Sequence, residues 1–117
     1  FFFFLEIISG IQNAVDRVAF QDGHVAFELF SVFIQVNKQL ADQNGLQSWI
    51  NTESFDRDMP IKFLPIKWDK MRFKLDAAAQ AGIQEALTFE FSHFMSPQSA
   101  YPQAGHLYQR YLEYKNS

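Results

Sequence analysis

Residues 46–53 read Leu46-Gln47-Ser48-Trp49-Ile50-Asn51-Thr52-Glu53. Trp, Ile and Thr favour extended backbone. Asn44-Gly45, just upstream, is a helix stop, because glycine accepts the left-handed conformation without a Cβ penalty. Strand side chains alternate between faces. Trp49, Asn51 and Glu53 therefore share one face, opposite Ile50 and Thr52. The first face becomes polar toward the strand's carboxyl end, which is where parallel α/β folds bind ligands.

Upstream, Leu29, Val32, Phe33, Val36 and Leu40 keep helical spacing within Val25 to Asp42. Before that helix, Val18-Ala19-Phe20 is a short apolar run closed by Gln21-Asp22-Gly23, which reads as a buried strand. Val18 and Phe20 lie opposite Ala19 and Gln21. A first helix carries Phe4, Leu5, Ile8 and Ile11 on one face.

Downstream, residues 54–66 read as a loop containing Pro60 and Pro65. A third helix is predicted over Lys67 to Ala81, with Trp68, Met71, Leu75 and Ala78 as its core stripe and Gly82 as its end. A third strand is predicted over Ile83 to Ser92. Leu87, Phe89 and Phe91 share a face expected to pack on helices, opposite Thr88, Glu90 and Ser92. A loop follows over His93–Ala100. Ser99 is the expected N-cap of a last helix that tolerates Pro102 in its first turn. That helix carries Leu107, Tyr108, Tyr111 and Leu112, with Tyr101 and Tyr114 beside them.

The order is α-β-α-β-α-β-α. Strands separated by helices cannot form hairpins, so the sheet is expected to be parallel with right-handed crossovers. A complete (β/α)8 barrel needs about 250 residues, and the chain has 117. Residues 1–117 therefore read as a single partial domain of alternating strands and helices.

Composition narrows the function classes. Hydrophobic residues make up 48% and charged residues 20%, which fits a core-forming chain. The net charge of −3 leaves no basic surplus for phosphate neutralisation, so no nucleic-acid partner is expected. The absence of cysteine excludes disulfides, thiol nucleophiles and thiolate metal sites. The chain begins at Phe1 rather than Met and reads as processed or as a fragment. Phe1–Phe4 lacks a basic flank and Glu6 interrupts it, so an amphipathic helix is expected there rather than a signal peptide. No stretch approaches the roughly 20 apolar residues of a membrane span, so no membrane partner is expected.

Gln21, Asn51, Glu53, Glu90 and Ser92 gather at the strand ends. The turns leaving those ends add Asp22, His24, Phe55, Asp56, Arg57, Asp58 and His93. Burying carboxylates without partners is costly, so two Glu on one sheet face point to chemistry. Each residue also has a plainer reading. Glu53 can pair with Arg57, Asp22-Gly23 is a turn, and the histidines can serve loop backbone groups. Asp56-Arg57-Asp58 reads as a solvated charge cluster.

Three phrases carry a resemblance: Val18-Ala19-Phe20-Gln21-Asp22-Gly23, Trp49-Ile50-Asn51-Thr52-Glu53-Ser54-Phe55, and Thr88-Phe89-Glu90-Phe91-Ser92-His93-Phe94-Met95-Ser96-Pro97. In order and spacing they resemble the last three strand ends of an uncharacterised bacterial family of glycoside-hydrolase-like (β/α)8 TIM barrels, often exported. The resemblance implies that these are strands six to eight, the C-terminal part of the barrel. It implies a carbohydrate partner and a periplasmic or secreted location.

By the same resemblance Glu53, ending the seventh strand, matches the nucleophile of many retaining barrel glycosidases. Their acid/base commonly ends the fourth strand, which has no counterpart here, so the chain alone is expected to be inactive. Glu90 would hold a sugar hydroxyl or raise its neighbour's pKa by like-charge repulsion. Adjacent strands lie about 4.8 Å apart, close to the ~5 Å carboxyl separation of a retaining pair. Gln21, Asp22, His24, Asn51 and His93 would bind hydroxyls, and Trp49 or Phe55 would stack on a sugar face.

Two other readings stay open. Asp22, His24, Glu53, Glu90 and His93 are ligand types for a divalent cation, giving a metal-dependent hydrolase. Without His-x-His or His-Glu-x-x-His spacing, no metal and no cofactor is the expectation. The chain is otherwise a carbohydrate-binding or barrel-completing subunit. Open sheet edges invite pairing, so a homo-oligomer or association with the remainder of the barrel is expected.

Overall fold

The computed structural model describes residues 2–57 and 63–117, with side chains from residue 6 onward. The readings that fall on the side chains of Phe4 and Leu5, on Asp58 and on Pro60 lie outside this set. The elements in order are α1 (Phe2–Ile11), β1 (Arg17–Gln21), α2 (Phe30–Gln43), β2 (Gln47–Glu53), β3 (Phe55–Asp56), β4 (Leu64–Pro65), α3 (Trp68–Gln80), β5 (Ala86–Phe89), α4 (Phe91–Phe94) and α5 (Pro102–Lys115). A single 3-10 turn, Phe27–Leu29, leads into α2.

The main sheet has the order β1-β2-β5. β1 and β2 pair in parallel, with Ala19 opposite Trp49 and Gln21 opposite Asn51. Ile50 N–H donates to Glu85 O at 3.1 Å and Ser54 N–H to Phe89 O at 2.8 Å. Both partners advance by four residues, so β5 runs parallel to β2 as well. The expected parallel sheet with intervening helices is present, and its strands are those centred on Val18-Ala19-Phe20, Trp49-Ile50-Asn51 and Leu87-Thr88.

The chain forms two compact units, residues 1–51 with 75–87 and residues 52–74 with 88–117. In the first, Ile8, Phe20, Leu40, Ala41 and Leu46 form one apolar cluster. Phe30, Ile34, Ile50, Ala78 and Ile83 form another. Ile34 and Ile50 are wholly buried. The stripe expected for α2 is only partly the buried one: Leu40 is buried, but Leu29, Val32 and Val36 are exposed, and Phe30, Ile34 and Ala41 face the core instead, a face rotated from the expected one on the same helical period. In the second unit Phe55, Ile66, Met71, Met95, Ala104 and Leu107 are buried.

Four local expectations are corrected. The segment between Ser54 and Ile66 is not purely a loop, because β3 and β4 pair antiparallel, Phe55 opposite Pro65. β5 is shorter than expected, and Ser92 lies in the one-turn helix α4 rather than on a strand. Of the three residues expected to pack on helices, Leu87 and Phe89 are 45% and 53% exposed on an outer strand of the sheet; Phe91 lies in α4, 46% exposed, with its ring 5.4 Å from that of Tyr108 on α5. The N-cap of α5 is Tyr101, not Ser99. The Ser99 hydroxyl instead accepts from Tyr101 N–H at 3.1 Å.

Candidate functional site

In the first unit the predicted residues cluster where β1 and β2 end. Gln21 lies directly opposite Asn51 in the register. Asp22 is buried in the turn that follows, its N–H donating to Asn51 O at 3.3 Å and its carbonyl accepting from Val25 N–H at 3.1 Å. Two residues on, His24 is exposed and adopts φ 65°. That left-handed conformation is uncommon for a residue other than glycine. The Arg17 guanidinium sits 5.4 Å above the Trp49 ring, and its Nε donates to Gln47 Oε1 at 3.0 Å. Trp49 Nε1 and Asn51 Oδ1 are buried atoms with no hydrogen-bond partner among the described residues. Buried polar atoms are normally paired, so these two are candidates to meet a polar ligand.

In the second unit Glu53 ends β2 with only 3% of its surface exposed. Arg57 holds it at two points, Nη2 to Oε1 at 2.7 Å and Nε to Oε2 at 2.8 Å. The guanidinium also lies 5.1 Å from the Phe55 ring and 5.6 Å from the Phe63 ring. Planar Arg suits both contacts, forking onto a carboxylate edge while stacking on aromatic faces. Glu53 has an ionised partner, which is what a buried carboxylate requires.

Asp56 departs from its solvated reading. It is buried and accepts from Lys70 Nζ at 2.7 Å. Lys70, on α3, was missed in the sequence. It adjoins the apolar stripe residue Met71, and no spacing rule links it to an aspartate fourteen positions away.

Ser54 joins the ends of β2 and β5. Its hydroxyl donates to Glu90 O at 3.0 Å, and Thr88 Oγ1 donates to Thr52 O at 3.2 Å. The backbone bearing Glu90 is thus bonded to the residue after Glu53, as adjacent parallel strand ends predict. The Phe89–Glu90 peptide is cis.

The Glu90 side chain turns back on its own chain and caps α4. Its Oε1 accepts from His93 N–H at 2.7 Å and lies 2.6 Å from His93 Nδ1; its Oε2 accepts from Ser92 N–H at 3.1 Å. Burial pushes the Glu90 carboxyl up. The His93 N–H, the imidazole and the Ser92 N–H together outweigh that and hold it below the ordinary glutamate value.

Aromatic rings connect these groups. Phe55 lies 4.9 Å from Phe94 and 6.4 Å from Phe89, and Phe94 stacks on Tyr101 at 6.2 Å. Among the described residues no group of three or more His, Asp or Glu converges as a metal site. No helix among them is long and apolar enough to cross a membrane.

A family described as "Domain of unknown function (DUF4434)" matches residues 3–101. The chain belongs to that family. The DUF4434 match covers all three strand ends, and, as the resemblance implied, the family is one without an assigned reaction. The chain is also similar to a crystal structure described as "a putative alpha-L-fucosidase" from Bacteroides thetaiotaomicron VPI-5482. The identity is 64% and the TM-score 0.89, over 95% of this chain and 35% of that one. The DUF4434 chain thus spans about a third of the length of that neighbour. No functionally curated protein matches it.

Proposed function

We propose that residues 1–117 are one partial domain, the part of a (β/α)8 barrel carrying strands six to eight, and that the barrel hydrolyses a glycosidic bond. The observation that carries this reading is Glu53, a buried carboxylate ending a central parallel strand and held at two points by Arg57. The 64% identity to a protein described as a putative α-L-fucosidase supports a carbohydrate substrate, with an α-L-fucoside as the first to test.

In the proposed reaction a Glu53 oxygen attacks the anomeric carbon. The glycosidic C–O bond breaks with its electron pair moving to the leaving oxygen. A second carboxylic acid, from a strand beyond these residues, protonates that oxygen. Water, giving its proton to that second carboxylate, then attacks the anomeric carbon; the sugar–Glu53 bond breaks and the Glu53 carboxylate is restored. Gln21, Asp22, His24, Asn51 and His93 are proposed hydroxyl contacts, and Trp49 a proposed stacking face; Phe55, expected as a second one, is buried among Arg57, Phe63, Phe89 and Phe94 and supports the site from behind.

A second reading has its own support. Both Glu53 oxygens are engaged by Arg57, which equally suits a chain that binds a sugar or completes a barrel without catalysis. β1 and β5 are the outer strands of their sheet, and such edges favour pairing with further strands. The remainder of the barrel or a second copy is the proposed partner. Glu53→Gln in the full-length protein separates the readings, with an aryl α-L-fucoside for hydrolysis and L-fucose for binding. A catalytic Glu53 requires hydrolysis to fall by orders of magnitude with binding retained. Unchanged hydrolysis overturns it.

A further inference from the structure

We propose that Glu90 is a positioning residue for His93, and that His93 Nε2, on the one-turn helix α4 that follows β5, is the atom that accepts a hydrogen bond from the site's ligand. Both Glu90 oxygens are engaged locally, by Ser92 N–H, His93 N–H and His93 Nδ1. Helix capping accounts for the two backbone contacts. It does not account for the third, 2.6 Å from Oε1 to Nδ1.

An ionised carboxylate only accepts, so Nδ1 must carry the hydrogen. In the neutral ring Nε2 is then a bare acceptor with a fixed direction. The same carboxylate-to-imidazole arrangement orients catalytic and metal-binding histidines generally.

The backbone of His93 is restrained as well. Its N–H is held by Glu90, and its carbonyl accepts from the Ser99 hydroxyl, which ties it to Tyr101 at the start of α5. Yet the His93 side chain is 74% exposed. An exposed pair contributes little to folding, so restraint from three sides is explained better by orientation than by stability. The imidazole lies 6.0 Å from Phe94, which packs on Phe55, two residues from Glu53. This arrangement commits Glu90 to positioning, in place of the hydroxyl contact expected of it, and gives the ligand-facing contact to His93.

The geometric half stands without any function, whereas the ligand half rests on the carbohydrate reading. Long-range 1H–15N NMR of the 117-residue chain reads the tautomer of neutral His93. The expected form is Nδ1–H in the wild type, and Glu90→Gln, whose amide oxygen still caps α4, releases it toward Nε2–H. A wild-type Nε2–H tautomer overturns the proposal whatever the protein does. Titration with L-fucose tests the ligand half. His93→Gln is expected to weaken binding about tenfold, the effect of one lost hydrogen bond. If L-fucose binds and His93→Gln leaves its affinity unchanged, the role of Nε2 is overturned and the carbohydrate reading survives. If L-fucose shifts no resonance in the wild type, the ligand role and the carbohydrate reading with this sugar both fall.

Discussion

Arg57 grips Glu53 with Nη2 on one carboxylate oxygen and Nε on the other, at 2.7 and 2.8 Å. The Glu53 side chain is 5% exposed and the Arg57 side chain 34%. Removing one partner of a fully buried pair costs about 3–5 kcal/mol. Arg57 is one-third exposed, so water compensates in part, and Arg57→Ala is expected to cost about 2 kcal/mol. Arg57→Lys is expected to recover less than half of that, because an ammonium cannot fork onto both oxygens or stack on Phe55 and Phe63. Urea denaturation of the three proteins measures the series. Equal stability of the Lys variant and the wild type would remove the two-point grip as an explanation.

Ser54 is wholly buried and its hydroxyl donates to Glu90 O. Ser54→Ala is expected to cost about 1 kcal/mol, the net value of one hydrogen bond whose acceptor is left behind. The loss should also loosen the Glu90 turn. Amide exchange at Ser92 and His93 is therefore expected to quicken more than at β1 in the same variant. Uniform quickening across both regions would mean that Ser54 stabilises the fold without coupling the strand ends.

His24 holds φ 65° on an exposed turn. A side chain in that region costs roughly 1–2 kcal/mol relative to glycine, although glycine loses some of the difference to unfolded-state entropy. His24→Gly is expected to raise stability by up to about 1 kcal/mol. If His24 also binds sugar hydroxyls, the same variant should weaken L-fucose binding while melting later. A variant that melts earlier would reveal a native partner for the imidazole.

Leu87 and Phe89 expose about half of their surface on edge strand β5. Leu29, Val32 and Val36, at helical spacing, are 57%, 57% and 36% exposed. Exposed apolar side chains and an outer strand both favour association. The 117-residue chain is expected to sediment as a dimer or larger species at micromolar concentration. The double variant Leu87→Lys, Phe89→Lys should shift it toward monomer. A wild type that sediments as a monodisperse monomer would sink this prediction.

Legibility followed the length and regularity of each pattern. The alternation of Trp49-Ile50-Asn51-Thr52-Glu53 was readable because period 2 over several residues separates the faces, and Ile50 and Thr52 are indeed wholly buried. The Glu53–Arg57 pair was visible as an alternative, since a loop of known ends kept the two close. Lys70 was invisible, because only the tertiary fold brings it to Asp56. The β3–β4 pairing was hidden by strands of two residues, one containing Pro65, which show no alternation. Glu90 misled in a specific way. Its place in the alternating run suggested a strand, but its side chain caps the chain that follows, a local competition that periodicity does not register.

The Glu90 cap carries a pH signature whose sign follows from the direction of its shift. The folded carboxyl titrates below 4.5, the ordinary glutamate value, so the unfolded chain takes up this proton first as the solution is acidified. The stabilisation is complete above that value and is lost as pH falls through the folded pKa. Glu90→Gln removes the titration while keeping an acceptor for the α4 N–H groups. The stability difference between wild type and Glu90→Gln is therefore expected to shrink as pH falls below about 4.5. Urea midpoints of both proteins between neutrality and pH 3 test this. A difference that widens below that pH would mean that Glu90 is held above its ordinary value. The carboxylate would then be a proton donor rather than the anion that orients His93.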